Sequence, residues 1–161
     1  MKIKFFSVGG TIDKVYFDAL SRYEVGESNL KDILQNARVN FDYEIESLLE
    51  KDSLDMTEQD RLIILRAVQD DPNDKIIITH GTDTMIETAS VLGSIKDKVI
   101  VLTGAMEPAK FKTSDAMFNL GSAVAAVQVL APGVYLAVSG RIFTPDNVQK
   151  NRVQKQFEEK M

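Results

Sequence analysis

The feature that most constrains this chain is an abrupt change of period inside KIIITHGTDTMIETA, residues 75–89. Ile76 to Thr79 form a short apolar and β-branched run, as a buried strand does, whereas Met85, Ala89 and Leu92 follow helical spacing. A strand therefore hands over to a helix at His80-Gly81-Thr82-Asp83-Thr84. Gly81 permits a tight turn, and Thr82 and Asp83 fall where unpaired backbone N–H groups and the positive end of a helix dipole point outward. Such a junction favours bound anions and developing negative charge. A lone Thr or Asp there is most often a helix cap. Here two hydroxyls, a carboxylate and the only histidine of the chain lie together, and capping needs just one of them.

The rest of the chain repeats the handover. KIKFFSV, residues 2–8, is a second apolar strand, ended by Gly9-Gly10 so that Thr11-Ile12-Asp13 emerges at its carboxyl end. The glycine pair is similar to a phosphate-binding loop, but G-x-G-x-x-G and G-K-[ST] are both missing and no helix pattern begins directly after it, which argues against nucleotide binding. Residues 14–27 are polar and aromatic without clear period: either a functional lid carrying Tyr16 and Tyr23, or a β-hairpin whose tyrosines pack on the surface. Ser28 is placed to cap a helix with Leu30, Ile33, Leu34 and Ala37 on one face. Residues 39–48 alternate at period two, a half-buried strand, and the loop Glu50-Lys51-Asp52-Ser53 follows. Thr57 with Asp60 resembles a capping box for a helix to about Asp70, lined by Leu62, Ile64, Leu65 and Val68. Lys98 to Thr103 and Gly133 to Val138 are further strands. Between them a charged loop, Glu107 to Thr113, leads to a helix that Ser114 can cap, with Met117, Leu120, Val124 and Val127 on one face. The last dozen residues read as a solvated tail or a terminal helix.

Strands separated by helical segments of this length indicate βαβ units, hence an α/β fold of three α-β-α layers around a mostly parallel sheet. Residues 1–161 are expected to form one domain. Ligands of such sheets bind outside the carboxyl ends of the strands. Thr11, Ser53, Thr82, Asp83 and the loop after Thr103 then share one edge. A net charge of −5 without a basic patch argues against nucleic acid. No apolar run is long enough to span a bilayer, and a cytoplasmic location is expected. With no cysteine and one histidine, thiolate and multi-histidine metal sites are excluded.

These residues carry a resemblance. GGTID at 9–13 and HGTDTMIETA at 80–89 resemble the two threonine signatures of the bacterial-type L-asparaginases, amidohydrolases with a threonine nucleophile. SRYEVG at 21–26, DSLDM at 52–56 and TGAMEP at 103–108 resemble further family segments in the same order. The resemblance implies the fold of the family's N-terminal domain and hydrolysis of L-asparagine to L-aspartate and ammonia, with no metal or organic cofactor. It implies Thr11 as nucleophile, Tyr23 as the lid tyrosine that hydrogen-bonds to it, and Thr82 as the second catalytic threonine. Asp83 would orient Thr82 and hold the substrate's α-amino group, and Ser53 would grip its α-carboxylate. His80 would be a structural neighbour rather than a base. Backbone N–H groups at Gly10-Thr11 and at Thr82 are candidates for holding an oxyanion, and Gly10 and Gly81 are placed with the substrate-binding residues.

The same resemblance implies a lysine in the helix after the TGAM loop, completing a Thr-Asp-Lys set. Ungapped alignment through FNLGSA at 118–123 puts Leu130 there, so Lys112, with Lys110 beside it, is expected to supply the ammonium from the preceding loop. Familiar members also carry a smaller C-terminal domain. A short single-domain member that self-associates, most simply as a symmetric dimer, is expected here. Two other readings stand beside this one: a broader amidase with glutaminase activity, and a non-catalytic amino-acid-binding or regulatory module that keeps Ser53 and Asp83.

Overall fold

The apolar runs become neighbouring strands of one sheet because each is covered on both faces. The computed structural model describes residues 1–161. Strand β1 spans Lys2–Gly9; after a 3₁₀ turn at Thr11–Asp13 come β2, Lys14–Phe17, and β3, Arg22–Val25. Then follow α1 (Leu30–Asn36), β4 (Asp42–Lys51), α2 (Glu58–Asp70), β5 (Lys75–Thr79), α3 (Met85–Leu92) and β6 (Val99–Thr103). The chain continues with α4 (Ala116–Val129), β7 (Gly133–Val138), β8 (Arg141–Phe143), β9 (Gln149–Asn151) and β10 (Gln156–Glu158).

Strands β4, β1, β5, β6 and β7 lie side by side in that order, all parallel, and β8 adds an antiparallel edge. Alternate residues feed two cores, since successive side chains of a strand point to opposite faces. Ile76 and Ile78 join Phe6, Val8, Ile100 and Leu102 beneath Ile64 and Val68 of α2 and Met85 and Ala89 of α3. Ile77 points the other way, with Ile3, Phe5 and Val101, under Leu34 of α1 and Leu120, Ala123 and Val127 of α4. The three-layer α/β expectation is met. No helix is long and apolar enough to cross a membrane.

Several local readings are refined. Strand β4 starts at Asp42 and runs to Lys51, beyond the stretch of clear alternation, because its parallel ladder with β1 extends from Lys2 opposite Asp42 to Gly9 opposite Lys51. The aperiodic residues 14–27 contain an antiparallel hairpin with Tyr16 opposite Tyr23. Ser28 Oγ accepts the Leu30 N–H as α1 begins. The Thr57–Asp60 capping box forms both its bonds, and Asp60 also accepts Lys51 Nζ at 2.9 Å, tying α2 to the end of β4. Met117 is exposed, since α4 turns Leu120, Ala123 and Val127 to the sheet instead.

The largest departure is at the carboxyl end. Residues 149–158 form a β-hairpin, β9–β10, rather than a tail or helix. Val148 and Phe157 are buried in the α2–α3 side of the core and pin both arms. Asn151 Oδ1 accepts the N–H groups of Val153 and Gln154 and so shapes the turn.

Two substitutions test this packing. Ile77→Ala, at the centre of the sheet, is expected to cost about 2–5 kcal/mol of unfolding free energy. Thr57→Ala, which removes half of a capping box, is expected to cost about 1 kcal/mol. Urea titration checks both; equal losses would mean that β5 is not the centre of the core.

Candidate active site

Parallel strands end on one edge, but the ends of β1, β4 and β5 approach more closely than side chains would allow. Gly10 sits at φ 92°, and a Cβ there would lie 2.4 Å from Gly81 N. A Cβ on Gly81 would lie 2.5 Å from Ser53 Oγ. The ends of β1 and β5 therefore meet backbone to backbone, and the bare Gly81 leaves room for the Ser53 side chain. Gly10 N–H is already committed to Lys51 O at 2.9 Å, which removes it as an oxyanion donor. Gly10 and Gly81 serve here as close-contact positions.

Thr82 and Asp83 stand at the resulting edge, and neither caps α3, which has no side-chain cap. Thr84 does not cap it either; its hydroxyl donates to Ser53 O at 2.8 Å. Instead, Lys150 Nζ reaches over from β9 and donates to Thr82 Oγ1 and to Asp83 Oδ1, both at 2.8 Å. Arg152 Nη1 donates to the same Asp83 oxygen at 2.6 Å. Partial burial pushes the Asp83 carboxyl up, but the bonds and charges of Lys150 and Arg152 outweigh it and hold Asp83 below the ordinary carboxylate range. Thr11, Thr82, Asp83, Met106, Lys150, Arg152 and Lys155 wall a cavity of about 300 Å³.

Other expected site residues are not brought into it. Lys110 and Lys112 are exposed and stand outside the cavity wall. Leu130 follows the last turn of α4, close to Gly133, whose N–H bonds Lys98 O where β6 and β7 begin. A crossover helix after a parallel strand runs back toward the amino edge. Position 130 therefore faces away from the site, and the lysine that meets Thr82 and Asp83 is Lys150. The loop from Glu107 to Thr113 brings an aromatic ring rather than an ammonium: Phe111 packs edge-on against Tyr23 with centroids 5.5 Å apart. Tyr23, held also by Tyr16 at 5.5 Å, is half exposed and makes no hydrogen bond to Thr11. Ser53 Oγ is buried without a partner and packs against Gly81, outside the cavity wall.

Two buried ionisable groups support this edge from behind. His80 is fully buried, with Nδ1 2.7 Å from Gly81 O and Nε2 2.7 Å from Thr88 Oγ1. A carbonyl only accepts, so Nδ1 donates, Nε2 accepts the Thr88 hydroxyl, and the Thr88 oxygen accepts Arg61 Nε at 3.2 Å. Burial, with Arg61 nearby, drives the imidazole down to about 4 and keeps it neutral. Asp13, behind Thr11, accepts Asn29 N–H at 2.9 Å and Ser7 Oγ at 3.2 Å, and its own carbonyl accepts Gly26 N–H at 2.9 Å. It thus clasps both ends of the β2–β3 hairpin to the Thr11 turn. Burial pushes its carboxyl up to about 6 against the lowering effect of those donors.

Sequence reasoning passed over Lys150, Arg152, Phe111 and Asp13. For the first two a signal exists: Val148 and Phe157 are isolated apolar residues in a polar stretch, with a turn-forming Asn151 between them.

Hydroxyl, carboxylate and ammonium thus gather at the carboxyl edge of a parallel α/β sheet, where ligands of such folds bind. The chain belongs to the asparaginase family, matching its N-terminal domain over residues 2–157. It is 35% identical over 162 residues to an L-asparaginase of Thermococcus kodakarensis, covering 93% of this chain and 48% of that protein. It is 33% identical over 130 residues to L-asparaginase 2 of Escherichia coli, covering 76% of this chain and 37% of that one. The structure of the thermostable L-asparaginase from Thermococcus kodakarensis superposes with a TM-score of 0.84 at 31% identity, over 99% of this chain and 51% of that chain. A probable cytoplasmic L-asparaginase from Campylobacter jejuni gives 0.81 at 29% identity, over 98% and 51%. The chain thus spans about half the length of the Thermococcus relative and of these two structures.

The two buried groups act oppositely on stability. His80 titrates near 4 when folded against 6.5 ordinarily, so between these values the unfolded chain binds the extra proton and stability falls as pH drops. Asp13 titrates near 6 against 3.8, so the folded chain binds the extra proton and stability rises as pH drops through 6. Each contributes on the order of 3 kcal/mol, and the two largely offset. In His80→Gln the unfolding free energy, from urea titrations, is expected to climb as pH falls from about 6.5 to 4.5, against a flatter wild-type curve. Parallel curves would refute a neutral buried histidine.

Proposed function

We propose that this domain hydrolyses the side-chain amide of L-asparagine to L-aspartate and ammonia through a threonine nucleophile. The observation that carries this reading is the ammonium of Lys150 bridging Thr82 Oγ1 and Asp83 Oδ1 beside Thr11 in one cavity. A threonine hydroxyl is a weak nucleophile unless a neighbouring group takes its proton. Lys150, in its neutral form, is the group placed to do so.

In this scheme Thr11 Oγ attacks the amide carbon, and its proton passes through the Thr82 hydroxyl to Lys150 Nζ. The negative charge on the carbonyl oxygen falls to backbone donors; the Thr82 N–H, which bonds no backbone carbonyl, is the candidate at this edge. Collapse of the intermediate breaks the C–N bond, and Lys150 returns the proton to the leaving nitrogen, which departs as ammonia. Water then cleaves the threonyl ester, releasing the acid and restoring the hydroxyl. Asp83 steadies the ammonium whenever Lys150 carries the proton. Tyr23 would leave its place between Tyr16 and Phe111 to close the hairpin over Thr11, in keeping with the looser geometry of empty sites.

Ammonia release from L-asparagine by the purified chain tests the reading. Thr11→Ala, Thr82→Ala and Lys150→Met are each expected to lower kcat about 10³-fold or more, on the scale of losing an acid–base or nucleophilic group. Lys112→Ala is expected to leave the rate within about twofold, as for an exposed residue away from the site. A wild type without turnover that is still stabilised against heat by L-aspartate would make the domain a binder. Loss of activity in Lys112→Ala but not in Lys150→Met would return the ammonium to the 107–113 loop.

A further inference from the structure

The carboxylate at the centre of the site is satisfied before any substrate arrives. Lys150 and Arg152 both donate to Asp83 Oδ1, at 2.8 and 2.6 Å, which leaves Oδ2 for the α-ammonium of an amino acid. Lys150 is tied to Thr82 as well, whereas Arg152 has Asp83 as its sole side-chain partner and is 63% exposed. Lys155, also exposed, stands on the same cavity wall. The cavity wall thus carries one carboxylate and three cations.

A site built to bind a substrate N–H group normally rejects the analogue that lacks it by roughly 10⁴–10⁵-fold, because its own buried acceptor is then left unpaired. Asp83 does not meet that condition. With the α-ammonium absent, Arg152 and Lys150 still neutralise and hydrogen-bond it. The excess positive charge, meanwhile, favours a ligand of net negative charge over a zwitterion by about tenfold for each unscreened contact.

Resting on the amidohydrolase reading above, we propose that the same site also hydrolyses ω-monoamides of dicarboxylic acids that carry no α-ammonium, succinamate being the simplest, and that Arg152 is the residue that admits them. The chemistry is the same amide hydrolysis: the C–N bond breaks, water supplies the oxygen and a proton, and succinate and ammonia leave.

The test compares kcat/KM for succinamate and L-asparagine in wild type, Arg152→Ala and Arg152→Lys, using the full chain. Wild type is expected to turn over succinamate within about tenfold of L-asparagine. In Arg152→Ala the ratio of succinamate to asparagine is expected to fall at least tenfold, and Arg152→Lys, which keeps the charge, restores most of it. A wild-type ratio below 10⁻³, or a ratio that does not move in Arg152→Ala, overturns the proposal. If neither amide is hydrolysed, the amidohydrolase reading fails by itself, and calorimetric binding of succinate against L-aspartate reads Arg152 independently. Succinate binding that weakens at least tenfold relative to aspartate in Arg152→Ala then upholds its role in admitting such ligands. Unchanged relative binding, or no binding of succinate, overturns it.

Discussion

No side-chain carbon fits between Gly10 and Gly81, and the geometry of the site depends on that contact. The ends of β1 and β5 touch through backbone atoms, with Ser53, after β4, lying against Gly81 in turn. Thr11 and Thr82, each the residue after its glycine, are thereby brought to the walls of one cavity. The strands that deliver them are held rigidly, since Phe6, Val8, Ile76 and Ile78 pack on one face and Ile3, Phe5 and Ile77 on the other. A turn between such strands has little freedom to open. Precise placement of reacting groups is worth most when the scaffold beneath them is of this kind.

Charge is distributed with the same economy. Behind the edge, His80 is kept neutral by burial, and its single proton is committed to Gly81 O, so it locks the turn. Asp13, with its carboxyl raised to about 6, holds the hairpin base through hydrogen bonds from Asn29 and Ser7. The concentrated charge lies in front, where Asp83 is shared by Lys150 and Arg152. Of these two cations, Lys150 is mostly shielded, its side chain 14% exposed against 63% for Arg152. Hydrogen bonds are electrostatically stronger away from water, so the Thr82–Lys150–Asp83 set is held more firmly than the exposed Asp83–Arg152 pair.

The hairpin β9–β10 ties these two levels together. It contributes nothing to the main sheet, yet Val148 and Phe157 insert into the core beside α2 and α3, and the strand between them carries Lys150 to the edge. The β2–β3 hairpin and Phe111 complete the surround from the other direction, with Tyr23 packed edge-on between Tyr16 and Phe111. Two hairpins and one loop, none of them part of the parallel sheet, thus decide what flanks the threonines.

What the sequence by itself determined is what depends on near neighbours. The change from strand to helix at residues 80–84, the glycine stop after β1, the Thr57–Asp60 capping box and the alternation of Ile76, Ile77 and Ile78 between two cores all follow from period and turn chemistry within a few residues. Parallel topology then placed Thr11, Thr82 and Asp83 on one edge. Only the tertiary structure decided which cation meets them, which ring packs edge-on against Tyr23, and whether the final residues form a helix or a hairpin. Lys150 and Thr82 are 68 positions apart, and Lys110, Lys112, Lys150 and Lys155 look alike in a string of letters. Their difference is set by where α4 returns to the amino edge of the sheet and where Val148 and Phe157 find room in the core, and those depend on the packing of the whole chain.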